Sequence, residues 1–194
     1  NKTNDNGHGY WYSTNTDVMA DIRNPTPEFK AIYNETDNRL ALISTYTKIQ
    51  SNLFAMTKWY DTYDATYNTQ VGNDFPHLRY ADIVLMYAEA LAETDLPAAL
   101  TWLNKTRTRA GLDELTSADV TTKAGFIREL AAERGREFAL EGHRWFDLVR
   151  LGLAVEYFRS LGYTLDAHNQ IFPIPQDQIE IVNNPSILWQ NPGF

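Results

Sequence analysis

The sequence contains no cysteine. That excludes disulfides, thiolate metal sites and a cysteine nucleophile, and it leaves the compartment open, because such a chain folds in any redox setting. No apolar run approaches the length of a membrane span. Cations are scarce: 17 Lys and Arg stand against 25 Asp and Glu, a net charge of −8. Nucleic acid and anionic membranes need clustered Lys and Arg, so neither is an expected partner. Catalytic signatures are missing too. There is no HExxH, no GxSxG and no phosphate-cradling glycine loop, and His8, His77, His143 and His168 show no metal spacing. No metal and no cofactor is expected. The chain begins at Asn1 without Met and shows no signal segment, which reads as a mature fragment whose targeting segment lies outside this sequence.

What is present suffices for folding. A chain of 194 residues, 43% hydrophobic, can bury one sizeable core, and a single domain over 1–194 is expected. Aromatics reach 13%, with 5 Trp and 11 Tyr, more polar-tipped rings than a plain helical core needs. Such rings suit a ligand with flat faces. Within the domain, residues 1–78 read as loop-rich, 79–160 as a helical scaffold and 161–194 as a proline-rich strap.

The first stretch is rich in Asn, Thr, Gly and Asp, which favour turns. Tyr10, Trp11 and Tyr12 stand in its middle. They either tuck a loop onto the core or form an exposed platform. A sugar offers a flat C–H face edged with hydroxyls, and an aromatic ring beside Asn6, Asn15 and Asp17 matches that pattern. Further on, Leu40, Leu42, Thr45 and Thr47 are compatible with a strand. Residues 51–78, with Leu53, Phe54, Trp59 and Tyr60, read as a loop packing on the core; Lys58, Trp59 and Asp61 are an alternative ligand patch.

Residues 79–93, RYADIVLMYAEALAE, form the clearest helix. Tyr80, Val84, Tyr87 and Leu91 share one face, which Ile83, Met86 and Ala90 widen; Asp82, Glu89 and Glu93 mark the other, and the small residues Ala81, Ala88, Ala90 and Ala92 allow close approach of a neighbouring helix. Asp95 and Pro97 cap and start a second helix, about 97–110, with Leu100, Leu103 and Ala110 inward and Gly111 as its left-handed stop. The short connection makes the pair antiparallel, like one tetratricopeptide unit.

Two more helices are expected over Phe126–Gly152, broken at Gly142, with His143–Leu151 returning. Phe126, Ile127, Leu130, Ala131 and Phe138 share a side. Glu133, Arg134, Glu137, Glu141, Arg144 and Asp147 form a dense charged register. Glu133, Glu137 and Glu141 would repel one another unless met by cations, for which Arg134, Arg136, Arg144 and Arg150 are candidates. A glycosidase pair at Glu137 and Glu141, or at Glu133 and Glu137, is conceivable from spacing, but nearby arginines lower carboxylate pKa values and unsuit a general acid. A structural charge network is the better reading. The strap is expected to hold a strand at Ile171–Ile174, a helical turn at Gln176–Glu180, and anchors at Ile174, Ile179, Ile181, Leu188, Trp189 and Phe194. N-x-T triplets at Asn1, Asn34 and Asn104 are weak glycosylation signals.

Several of these stretches resemble the SusD/RagB family of outer-membrane nutrient-binding lipoproteins. RYADIVLMYAEALAE followed by ALTWLNKTRTRAGL is one. ERGREFALEGHRWFDLVRLG matches the family's E-R-x-x-E-x-x-x-E-G-x-R-x-x-D-L-x-R run, and FPIPQDQIEIVNNPSILWQNPGF matches its Pro-Ile-Pro and Gln-Asn-Pro-Gly tail. The match covers about Pro76 to Phe194, and Asp37–Leu40, DNRL, resembles the family's Asp-x-Arg-Leu element. The resemblance implies a mainly α fold: tetratricopeptide-like helix pairs, long irregular loops and a proline-rich C-terminal strap. It implies a cell-surface lipoprotein that binds glycan without catalysis and lids a SusC-like TonB-dependent outer-membrane porin. Membrane contact would run through a lipid anchor not present in this sequence. Family members are far longer, so the chain looks like the C-terminal portion. The alternative expectation is a protein-interaction scaffold with no ligand of its own.

Overall fold

Asp95 shows how directly the local sequence sets an element. Its carboxylate accepts the Ala98 N–H at 3.0 Å, Pro97 fills the first turn, and a 14-residue helix follows. In the computed structural model, which describes residues 27–48, 51–56, 58 and 76–194, that helix is the third of seven. In chain order, α1 (Pro27–Lys30) is a single turn, and a 3-10 turn (Asn38–Leu42) leads into an antiparallel hairpin of β1 (Ile43–Lys48) and β2 (Ser51–Met56). Then come α2 (Tyr80–Leu91), α3 (Leu96–Arg109), α4 (Lys123–Glu137), α5 (Arg144–Arg150), α6 (Ala154–Ser160) and α7 (Gln176–Val182). The fold is mainly α, with a tetratricopeptide-like pair in α2 and α3. No helix of the described residues is long and apolar enough to cross a membrane.

The described residues fall into two compact units, one ending at Glu137 and the other Phe138–Phe194. In the first, α2 packs on α3, and α4 packs on both. Its core is Val84, Leu85 and Ala88 of α2, Ala99, Leu100 and Leu103 of α3, and Phe126, Leu130 and Ala131 of α4. Burying a Leu or Phe here contributes about 1.5–3 kcal/mol apiece.

The buried face of α2 differs from the expected one. Ala81, Val84, Leu85, Ala88 and Ala92 face inward together with Asp82, while Tyr80 is 74% exposed and Ile83, Met86 and Tyr87 are exposed too. Two physical reasons account for this. The alanines let neighbouring backbones come close, which a stripe of tyrosines would prevent. Asp82 tolerates burial because Arg134 of α4, itself buried, brings Nη1 within 2.7 Å of its Oδ1. The two atoms are not aligned as a hydrogen bond, so the contact is an ion pair. Tyr87 instead meets Trp102 edge-on at 4.7 Å, with Lys105 Nζ 3.2 Å above the indole.

Gly111 ends the α2–α3 pair at φ +80°, where any side chain is strained. A Cβ there would stand 2.8 Å from Asn38 Nδ2 and 3.1 Å from the Thr36 carbonyl. Close approach lets the Asn38 N–H donate to the Ala110 carbonyl at 2.8 Å, which pins the 3-10 turn to the end of α3. The polar loop after Gly111 is held by Asn104, whose amide donates to the Leu115 carbonyl and accepts the Leu115 N–H, each at 2.9 Å. Asn104 is buried, so its side chain is not presented for glycosylation.

In the second unit the chain turns through Leu140 (φ 62°) and Gly142 (φ 81°). The expected long helix therefore ends at Glu137, before Gly142, and α5 spans Arg144–Arg150. Phe138 packs on His143 at 4.8 Å, and Trp145 of α5 packs on Phe158 of α6 at 5.7 Å. The expected strand at 171–174 is not formed. Its polar backbone is met by side chains instead: the Ile174 N–H donates to Gln190 Oε1 at 2.7 Å, Gln190 Nε2 donates to the Ile174 carbonyl at 2.8 Å, and Asn191 Nδ2 donates to the Phe172 carbonyl at 2.6 Å. Of the expected anchors, Ile174, Ile179 and Leu188 are half-buried, whereas Ile181, Trp189 and Phe194 are exposed. Proline spacing and side-chain amides, more than apolar burial, hold the strap.

Candidate functional site: a cation-rich cavity at the end of helix α4

Glu133 and Glu137 lie one turn apart on α4 and are both buried. Two carboxylates in that register must find positive partners, and the first unit supplies them from four separate segments. Arg39, on the 3-10 turn, is the hub. Its Nε and Nη2 donate to the two Asp37 oxygens at 2.9 Å each; Nη1 donates to Glu133 Oε1 at 2.9 Å and Glu137 Oε2 at 3.1 Å; Nη2 also reaches Glu133 Oε2 at 3.3 Å. Arg136 donates to Glu133 Oε2 from Nε at 3.2 Å and Nη2 at 3.0 Å. Glu137 Oε1 accepts from Arg79 Nη1 at 3.1 Å and Arg109 Nη2 at 2.5 Å. The Glu137 carbonyl, at the negative end of the α4 dipole, accepts from Lys58 Nζ at 2.5 Å and Arg79 Nη2 at 3.1 Å. Behind them the buried Tyr33 hydroxyl donates to the Arg136 carbonyl at 3.0 Å.

Electrostatics fix the charge states. Burial alone would raise the pKa of Glu137, but the hydrogen bond and charge of Arg109, with those of Arg79, hold it below the ordinary carboxylate value. Burial likewise works to lower the pKa of Arg39, and its bonds to Asp37 and Glu133 override that, so it is raised. Tyr33 is raised chiefly by burial and stays a neutral donor. Glu137 is therefore an ionised acceptor ringed by donors, without the raised pKa a general acid needs at neutral pH.

Beside this cluster opens a cavity of about 240 Å³, lined by Arg39, Leu42, Lys58, Arg79, Arg109, Arg136 and Glu137. A second, of about 110 Å³, lies near Asp37, Arg107, Glu129 and Arg136. Among the described residues, no group of three His, Asp or Glu side chains could hold a metal ion.

Glu133 and Glu137 join the cluster above, and Arg134 pairs with Asp82. Glu141 lies in the turn after α4, off the helix face that carries the other two glutamates. Arg144 stacks over the Tyr157 ring at 4.3 Å, and Asp147 accepts from Arg150 at 2.8 Å. Of the cations named as candidates, Arg136 serves Glu133; Arg39, Arg79 and Arg109 were not among them, and Lys58 was named only in the alternative ligand patch. The DNRL stretch was the available signal for Arg39, whereas Arg79 and Arg109 sit at helix ends and carry none. Tyr10, Trp11 and Tyr12 lie outside the described residues, as do Trp59, Tyr60 and Asp61.

The model of the family described as the SusD family matches residues 8–194. SusD-like protein P2 of Formosa agariphila is 31% identical over 128 residues, which are 60% of this chain and 25% of that protein. The chain thus spans about a quarter of the length of the curated relative it matches. Among solved structures, a SusD superfamily protein from Bacteroides vulgatus aligns with TM-score 0.62 and 22% identity, covering 88% of this chain and 44% of that one. Surface glycan-binding protein A from Bacteroides uniformis aligns with TM-score 0.58 and 25% identity, covering 86% of this chain and 40% of that one. The protein of the same name from Bacteroides thetaiotaomicron, solved in complex with laminarihexaose, aligns with TM-score 0.59 and 23% identity, covering 86% and 40%.

Proposed function

The chain belongs to the SusD family, and from that premise we propose that it is part of a cell-surface, outer-membrane lipoprotein that captures glycan and delivers it to a SusC-like TonB-dependent transporter. The observation that carries this reading is the family match over 8–194, supported by the alignment with surface glycan-binding protein A from Bacteroides uniformis. We assign it no catalytic step. Glycan contacts are proposed at Tyr10, Trp11 and Tyr12, whose rings suit the C–H faces of sugars. Covering ~50 Å² of apolar surface contributes on the order of 1 kcal/mol per ring, so several rings or a polymeric ligand are needed for affinity.

Affinity electrophoresis of the intact protein on a panel of neutral and acidic polysaccharides tests the proposal. Retardation by at least one glycan, weakened by Trp11→Ala, is the expected result. Migration unaffected by every glycan would refute glycan capture, and retardation insensitive to Trp11→Ala would remove that residue from the site. A second reading, a protein-interaction scaffold, is favoured by the exposed Tyr80, Ile83 and Tyr87 stripe on α2. A pull-down that recovers the transporter, together with no glycan binding, would select it.

A further inference from the structure

We infer that the β1–β2 hairpin is an arm that opens while the helices stay folded, hinged at Arg39 and latched by Lys58 onto the end of α4, and that its opening widens the 240 Å³ cavity.

The two roots of the hairpin converge on one residue. The 3-10 turn that carries Arg39 runs directly into β1, and Lys58 lies two residues after the end of β2. Arg39 Nη1 donates to Glu137 Oε2 at 3.1 Å, and Lys58 Nζ donates to the Glu137 carbonyl at 2.5 Å. The base of the hairpin is thus closed by contacts that lie outside its own strands. Within it β1 pairs with β2 from Ile43 and Met56 to Lys48 and Ser51, and among the described residues no third strand joins them. A two-stranded ribbon is marginally stable in water by itself, so its attachment decides how often it opens.

Different chemistry holds the two roots. Arg39 makes five hydrogen bonds to three buried carboxylates through a rigid planar fork, which fixes it as a pivot. Lys58 meets a backbone oxygen at the negative end of α4 through a flexible four-carbon stem. A contact of that kind tolerates movement that the Arg39 fork does not. The cavity lies where the movement would act. Arg39, Leu42 and Lys58 of its lining flank the hairpin, whereas Arg79, Arg109, Arg136 and Glu137 stand on or beside helices α2, α3 and α4, which share one buried core. A hairpin that swings about Arg39 carries Lys58 away from Glu137 and enlarges the space between them.

Hydrogen exchange on the intact protein tests this. In the wild type, the amides of 43–48 and 51–56 are expected to exchange at least about tenfold faster than those of 84–88 and 99–103, which open only with the helical core. Lys58→Met removes a charged hydrogen bond and is expected to speed the hairpin about tenfold further, with the core amides unchanged; Lys58→Arg is expected to restore most of the protection. Because the chain has no cysteine of its own, Leu42→Cys places a single thiol at the cavity. Its reaction with a thiol reagent is expected to quicken when Lys58→Met is added. Hairpin amides that exchange at the core rate in the wild type overturn the arm, and that comparison decides even if Lys58→Met fails to fold. Equal acceleration of hairpin and core by Lys58→Met, or none, overturns the latch. A thiol rate that stays unchanged beside a faster hairpin overturns the widening of the cavity.

Discussion

Replacing Arg39 with alanine gives the sharpest test of the charge cluster. Arg39 makes five hydrogen bonds to three carboxylates whose side chains are at most 3% exposed. The loss is nevertheless smaller than three broken pairs. Glu133 keeps Arg136, and Glu137 keeps Arg79 and Arg109. Asp37 is the one stranded, left with the backbone N–H of residue 39 at 2.9 Å and Arg136 Nε 4.0 Å away. Breaking one buried pair by removing a partner costs about 3–5 kcal/mol. For a chain of this size each kcal/mol moves the unfolding midpoint by about 2–4 °C, so Arg39→Ala should lower Tm by roughly 6–20 °C. Urea unfolding with an unchanged m value would assign the loss to stability rather than to a changed unfolded state. Adding Asp37→Asn to Arg39→Ala should recover part of it, because the stranded charge is gone. A loss under about 1 kcal/mol, the level of solvent-exposed pairs, would refute the reasoning, as would a double variant no more stable than Arg39→Ala.

Three further outcomes are expected. Arg134→Ala leaves Asp82 buried and unmatched and should cost about 3 kcal/mol or more, read from the urea midpoint, without changing glycan affinity; an unshifted midpoint would contradict the burial argument. Gly111→Ala forces a left-handed residue and drives a Cβ into Asn38 and the Thr36 carbonyl, so a loss of at least about 1–2 kcal/mol is expected by thermal melting; wild-type stability would mean the 3-10 turn is not pinned there. Glu137 favours its ionised form in the fold, so its contribution is complete above its ordinary pKa of 4.5 and is lost as pH falls through the lower folded value. Stability measured downward from pH 5 should therefore fall more steeply for the wild type than for Glu137→Gln, and equal slopes would exclude Glu137 as a source of the acid loss.

Much of the fold was legible because its determinants are local. The Asp95–Pro97 cap, the Gly111 stop and the helix between them depend on neighbours within one turn, and the structure has each of them. Where the reading failed, the deciding contact was distant. Large aromatics on α2 pointed to the wrong inward face, although the small residues Ala81, Ala88 and Ala92 were legible as a site of close helix approach, since hydrophobicity along a helix does not reveal that Arg134, 52 positions after Asp82, makes a carboxylate buriable. A strand at 171–174 was expected from its isoleucines, yet among the described residues no strand pairs with it, and Gln190 meets the Ile174 backbone instead.

The sequence by itself determined that Glu133 and Glu137 share a helix face and cannot stand there unopposed, because a spacing of four residues on a helix brings like charges together. Its linked motifs also determined the family. Only the tertiary structure decided which cations answer those glutamates. Arg39 is 94 positions from Glu133, and Arg79 and Arg109 are 58 and 28 positions from Glu137. No periodicity links such residues; they meet because α2, α3 and the 3-10 turn pack around the end of α4. The same packing leaves a cavity of about 240 Å³ among them.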